Sequence, residues 1–232
     1  MTLPMEVLLV GAVLALYLQD AALLLHYDEV ALVRTRRGWR ASTGGIEARD
    51  RRLFVPDFFR PAQPLFRASW LSTPQRERPA TQMFHFVDAL SVFARPLRLL
   101  WLCLFVALPL LLWRRPDALW LLALTLLIYG ITAWLCVRVW QFRRVLELGE
   151  RQALCLAFEL LCCPPHALNL VRRLSLRRGL DVDAVDAVRR LLPSGIAARA
   201  GEQMEQRLSY AMALRGEEAG LLRARNRLEE LR

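Results

Sequence analysis

ALWLLALTLLIYGITAWLCV, residues 118–137, decides the fold. The run carries no charge, and a helix of about 20 apolar residues crosses the ~30 Å hydrocarbon layer of a bilayer. Upstream lies a second apolar run, Leu99–Trp113, which is short and contains Pro109. It reaches across if Arg98 and Arg114 snorkel to opposite surfaces. A third run, Val7–Leu25, attains full length only by including Gln19 and Asp20. The leader before it holds Glu6 and no basic residue, and no small-residue cleavage site follows, so the run reads as an uncleaved anchor.

These runs predict a mainly α integral membrane protein with three transmembrane helices. The organisation expected is a first span over residues 1–25, a cytoplasmic segment over 26–94, a transmembrane hairpin over 95–140 and a cytoplasmic helical tail over 141–232. A shallow hairpin over 99–137 that does not cross is the competing layout. The apolar content of 55% is clustered in these runs, which fits the membrane class. Neither remaining segment is large enough for a sizeable enzyme core of its own.

The chain of 232 residues has a net charge of +10, and its basic side chains are all arginine. The absence of lysine suggests a GC-rich bacterial genome. Orientation follows from arginines near the span ends. Arg34, Arg36, Arg37 and Arg40 follow the first run, Arg95 and Arg98 precede the second, and Arg138, Arg143 and Arg144 follow the third. Only Arg114 and Arg115 separate the second and third runs. The N-terminus is therefore expected outside and the C-terminus in the cytoplasm of a bacterial inner membrane. Trp113 and Trp120 then mark the outer interface, and Trp101, Trp134 and Trp140 the inner one.

Residues 29–35, 39–43, 46–48 and 53–55 read as short strands of a small antiparallel β unit that must pack on something else. A proline-spaced strap follows, with Pro56, Pro61, Pro64, Pro74 and Pro79 interleaved with Phe58, Phe59, Phe66 and Trp70. Those aromatics either bind a partner or cover the protein's own small core, since aromatic side chains anchor interfaces of both kinds. Met83–Phe93 carries a helical stripe and reads as an interfacial helix.

In the tail, Phe142, Val145, Gly149, Leu156, Leu160 and Cys163 fall near one helical face, so the third span continues as, or bends into, this helix. Ala153–Cys163 is too short to span and is expected to be buried or interfacial. Pro164 and Pro165 end it. Asp181 or Asp183 is expected to cap a later helix that closes with Arg189 and Arg190. Ile196, Ala200, Met204, Leu208, Ala211 and Leu214 form another stripe.

Few residues suggest chemistry. Cys155, Cys162, Cys163 and His166 are the only metal-like set, and their spacing fits no strong ligand template. Buried cysteine as a small hydrophobe is the stronger reading, so neither metal nor cofactor is expected. Asp20 is the polar residue most out of place in an apolar span, with pairing to an arginine such as Arg98 or Arg138 expected. Arg172, Arg173, Arg177 and Arg178 form the densest basic patch and suit anionic lipid better than nucleic acid, for which no binding fold is recognisable. No nucleophile–base pair or glycine-rich phosphate loop occurs, and Glu159 with His166 is a weak acid–base candidate. The function expected is a non-catalytic accessory, scaffold or assembly subunit of an envelope complex, with a protein partner or a second copy and lipid as its contacts. A membrane-bound metal or redox component using the Cys/His set, and an oligomeric channel or transport subunit using Asp20, are the alternatives.

Overall fold

The computed structural model describes residues 4–35, 38–42, 45–48, 51–71, 80–114, 117–180, 182–215 and 219–229. The chain is mostly helical with a small β segment. It divides into two compact units: residues 1–21, 57–62 and 80–174 form one, and 22–56, 63–79 and 175–232 the other.

The first unit is a helical bundle. Helix α1 (Met5–Ala21) packs against later helices of the same unit. Its end differs from the sequence expectation. The apolar run Val7–Leu25 does not continue as one helix, because the chain beyond Ala22 is extended over Leu23–His26. A run as short as Leu23–Leu25 is readable as helix or strand, and pairing decides the outcome here. At 17 residues, α1 is about 26 Å long, short of a full crossing.

Helices α2 (Ala80–Ser91) and α3 (Ala94–Leu102), a π-helical turn (Cys103–Ala107) and α4 (Leu108–Arg114) follow one another almost without interruption. Phe86, Leu90, Phe93, Leu97, Leu100 and Leu104 are all buried and make one stripe through the series. The segment expected as a separate interfacial helix thus continues into the second apolar run. Pro96 sits in the first turn of α3, where a missing N–H costs nothing. Pro109 has the opposite effect. It cannot donate to the carbonyl four residues back, and the Leu108 amide instead reaches Cys103, which widens the turn.

Helix α5 (Ala118–Phe142) follows. Among the described residues two helices, Gln82–Arg114 and Ala118–Phe142, are long and apolar enough to cross a membrane by length and composition. Their burial is low: Leu119, Trp120, Leu122, Leu126 and Leu127 all face outward on α5. Thr125 and Thr132 satisfy their hydroxyls on the carbonyls of Leu121 and Ile128, so the helix exposes little polarity.

Helix α5 does not run on into the tail as one continuous helix. A tight turn over 143–149 intervenes, with Glu147 at φ 54° and the Leu148 amide on the Arg143 carbonyl at 2.8 Å. Leu146 and Leu148 are buried while Val145 is exposed, which displaces the continuous stripe expected there. Helix α6 (Glu150–Cys162) then packs on α5. The proline pair opens α7 (Pro164–Ala167), where proline suits a first turn, and α8 (Leu170–Arg178) follows.

The second unit contains two three-stranded antiparallel sheets. Strands β1 (Leu23–His26), β4 (Ile46–Ala48) and β5 (Arg51–Phe54) order as β1-β5-β4; β2 (Glu29–Thr35), β3 (Gly38–Ser42) and β6 (Leu65–Ser69) order as β3-β2-β6. The strap therefore holds a strand, β6, at a sheet edge between prolines, where proline is tolerated. Leu25, Ala31, Val33 and Leu65 form its apolar core with Leu176 packed against them. A Cβ on Gly45 would collide with the Leu53 carbonyl, so only glycine fits that approach. Helices α9 (Ala184–Leu191), α10 (Ser194–Arg215) and α11 (Ala219–Glu229) complete the unit. Asp183 caps α9 by accepting from the Val185 amide at 3.0 Å, whereas Asp181 lies outside the described residues. The expected α10 stripe is buried at Ala200, Met204, Leu208 and Ala211, while Ile196 is exposed.

Candidate functional site

The most constrained polar group in the helical unit is Arg172, buried at 1% exposure. Its position follows from local sequence. Leu168, Leu170, Val171 and Leu174 are buried along the same stretch, and Asn169 lies one helical turn before Arg172 on the same face. Burying a guanidinium is costly unless its donors are satisfied. Here four of its five N–H groups are. Nη1 donates to the Tyr17 hydroxyl at 3.0 Å and to Asn169 Oδ1 at 2.9 Å. Nη2 donates to the carbonyls of Asp57 at 2.8 Å and Arg60 at 3.2 Å. Only Nε has no partner among the described residues.

Asn169 turns its amide nitrogen to the Tyr17 carbonyl at 3.0 Å, and the Tyr17 hydroxyl donates in turn to the Phe58 carbonyl at 3.3 Å. The arrangement ties α1, the strap segment 57–60 and the start of α8 into one knot. Arginine suits this place because its planar fork meets several carbonyls at fixed angles. Burial lowers the pKa of Arg172, and the neighbouring Tyr17, Asp57 and Asp20 oppose that shift by favouring the cation.

Asp20 is thus placed near an arginine, but not the ones expected: no ion pair joins it to Arg98 or Arg138, and its charge acts on Arg172 instead. It sits in the last turn of α1, where the helix dipole disfavours a carboxylate. Its Oδ2 is buried without a hydrogen-bond partner among the described residues.

Beside the knot is an aromatic cluster. Tyr17 meets Phe58 and Phe105 edge-on at 5.3 and 5.5 Å between centroids, and Phe58 meets Trp101 at 5.6 Å. Such edge-to-face pairs add about 0.5–1.5 kcal/mol each beyond their buried area. Phe59 meets Phe58 edge-on and Trp101 at a tilt at the rim and is 71% exposed. Of the four aromatics singled out in the strap, Phe66 and Trp70 are buried in the β unit, Phe58 is half-buried in this cluster, and Phe59 alone faces outward. Phe66 and Trp70 therefore serve the protein's own core.

The basic patch also divides. Arg172 is buried, out of reach of the anionic lipid expected for the patch. Arg173 pairs with Glu159, Arg177 is exposed and Arg178 is half-exposed. Cys155 and Cys162 are exposed, Cys163 and His166 half-buried. No group of three or more His, Cys, Asp or Glu side chains placed to hold a metal ion occurs among the described residues. Glu159 is turned to Arg173.

Tyr17, Asn169 and Phe105 were not singled out from sequence, and Trp101 was read only as an interface marker. The signal available was weak: Tyr17 lies three residues before Asp20 in α1, and Asn169 interrupts an apolar stretch one turn before Arg172. No known protein family, curated protein or solved structure matches the chain.

Proposed function

We propose that this protein is a non-catalytic inner-membrane accessory or scaffold subunit of a bacterial envelope complex. The carrying observation is the outward apolar surface of the two long helices, on which Leu99, Leu102, Leu110 and Trp113 join the exposed leucines of α5. In water that surface would be an extended exposed patch; in lipid it is matched. The second and third apolar runs form a hairpin across the bilayer, and α1 accompanies them as the third, shortened span. Exposed Trp113 and Trp120 at the hairpin tip suit the outer interface, and the arginines beyond α5 suit the cytoplasmic side.

The polar interior supports a structural role. The buried cation Arg172 is held by carbonyls and a hydroxyl of its own unit, and segment 57–60 is fastened to the bundle. Phe59 at the rim offers an exposed aromatic anchor for a partner protein, and Arg177 and Arg178 suit acidic headgroups. Two measurements test the reading together. Alkaline carbonate should leave the protein in the membrane pellet. Mild-detergent purification should then recover a companion at fixed stoichiometry, or a homo-oligomer, and replacement of Phe59 by Ala should reduce that recovery. A carbonate-soluble protein, or a monomer without companions, overturns it.

A further inference from the structure

Helix α6 carries an outward face that its own unit leaves uncovered. Leu154 is 58% exposed, Phe158 70% and Leu161 40%, at helical spacing. Cys155 and Cys162 are exposed beside them, with Arg151 at the N-terminal end of the face and Glu159, paired with Arg173, at its border. Two contacts fix how α6 lies on α5. Arg143 pairs with Glu150 at 3.1 Å, and the Cys136 thiol donates to the Ala157 carbonyl at 3.4 Å. Seven residues back along α5 thus meet seven residues forward along α6, and the helices run antiparallel. On that register Phe158 comes level with Leu135, and Trp134 and Val137 of α5 are also exposed.

We propose that α6 lies in the lipid leaflet that α5 leaves, its Leu154–Phe158–Leu161 face among acyl chains and the 143–151 corner among acidic headgroups. The proposal rests on the membrane reading of α5. At 13 residues, α6 is about 20 Å long, enough to enter one leaflet but not to cross. The occupant is lipid rather than protein because the face continues the apolar surface of α5 at the same depth. Basic residues also outnumber acidic ones where phosphates would be: Arg143, Arg144 and Arg151 stand against Glu147 and Glu150, with Arg144 and Arg151 exposed at the corner. Arg143 and Arg138 lie over the rings of Trp140 and Trp134 at 4.3 and 4.8 Å. Aromatic rings capped by arginine mark the headgroup boundary.

The test uses the full chain in vesicles of phosphatidylcholine with and without phosphatidylglycerol. A nitroxide is attached in turn at Phe158→Cys, Leu126→Cys and Arg151→Cys, with the native cysteines replaced by serine. A parallel variant keeps only native Cys155 as the label site, in case the Phe158 variant does not fold. Expected is collision with dissolved oxygen exceeding that with a water-soluble nickel complex several-fold at 158 and 155, as at 126. Position 151 should read as aqueous, and adding phosphatidylglycerol should deepen the label at 158. If 126 also reads as aqueous, the membrane reading of α5 falls, and this proposal with it. If 126 reads as acyl while 158 and 155 are water-accessible, the proposal alone is overturned. Immobilised labels with spin–spin broadening at 158 would likewise overturn it, in favour of a second copy on this face.

Discussion

Arg172 donates to the hydroxyl of Tyr17 at 3.0 Å across 155 residues of sequence. Both side chains are buried, and the same guanidinium holds the carbonyls of Asp57 and Arg60. One side chain therefore fastens three distant stretches of chain.

Replacing Arg172 by Ala should destabilise the helical unit by about 3–5 kcal/mol, because two carbonyls, a hydroxyl and an amide oxygen lose their donor in a dry setting. Arg172→Lys should recover only part of this, since an ammonium cannot reproduce the planar fork. Tyr17→Phe removes one partner and should cost ~1–2 kcal/mol. Thermal unfolding in detergent, followed by near-ultraviolet circular dichroism of the aromatic cluster, measures all three.

Asp20→Asn should lower stability as well, by less than Arg172→Ala, because the carboxylate favours the buried cation. If the two residues act together, the effect of Asp20→Asn should shrink in an Arg172→Met background, as coupling in a double-mutant cycle requires. Equal effects in both backgrounds would separate them.

Gly45→Ala should disrupt the β1-β5-β4 sheet, since the added methyl meets the Leu53 carbonyl. Overpacking of this kind costs about 1–3 kcal/mol. Limited proteolysis should show faster cleavage between residues 43 and 54 with the helical unit still resistant.

Asp183→Ala should remove the cap of α9 at a cost of ~1 kcal/mol. Amide hydrogen exchange should speed up first at Val185 and the following turn.

Periodicity read from sequence served well where one neighbour dominated. The long apolar run 118–137 became α5 because nothing within it competes with helix. The β2 strand was visible as a short Val/Leu-rich run. It failed where distant pairing chose the outcome. Leu23–Leu25 looks like the end of a helix until β5 pairs with it, and Leu65–Ser69 looks like strap until β2 does. The site was less legible than the fold. Arg172 reads as one of four surface arginines, and only the arrival of Tyr17 and the 57–60 carbonyls makes its burial tolerable. Asp20 was visible as an anomaly, but its neighbour lies 152 residues away by subtraction of positions, beyond the reach of local pattern.

The three-way fastening at Arg172 also sets an order of events during synthesis. Tyr17 and the 57–60 carbonyls emerge from the ribosome long before Arg172 does, and contacts of such wide separation form slowly. Until then, the early helix carries a half-finished polar seam. A chain arrested before residue 169 should consequently behave as a substrate for chaperones and quality-control proteases, and release of the remaining quarter should convert it to a resistant form.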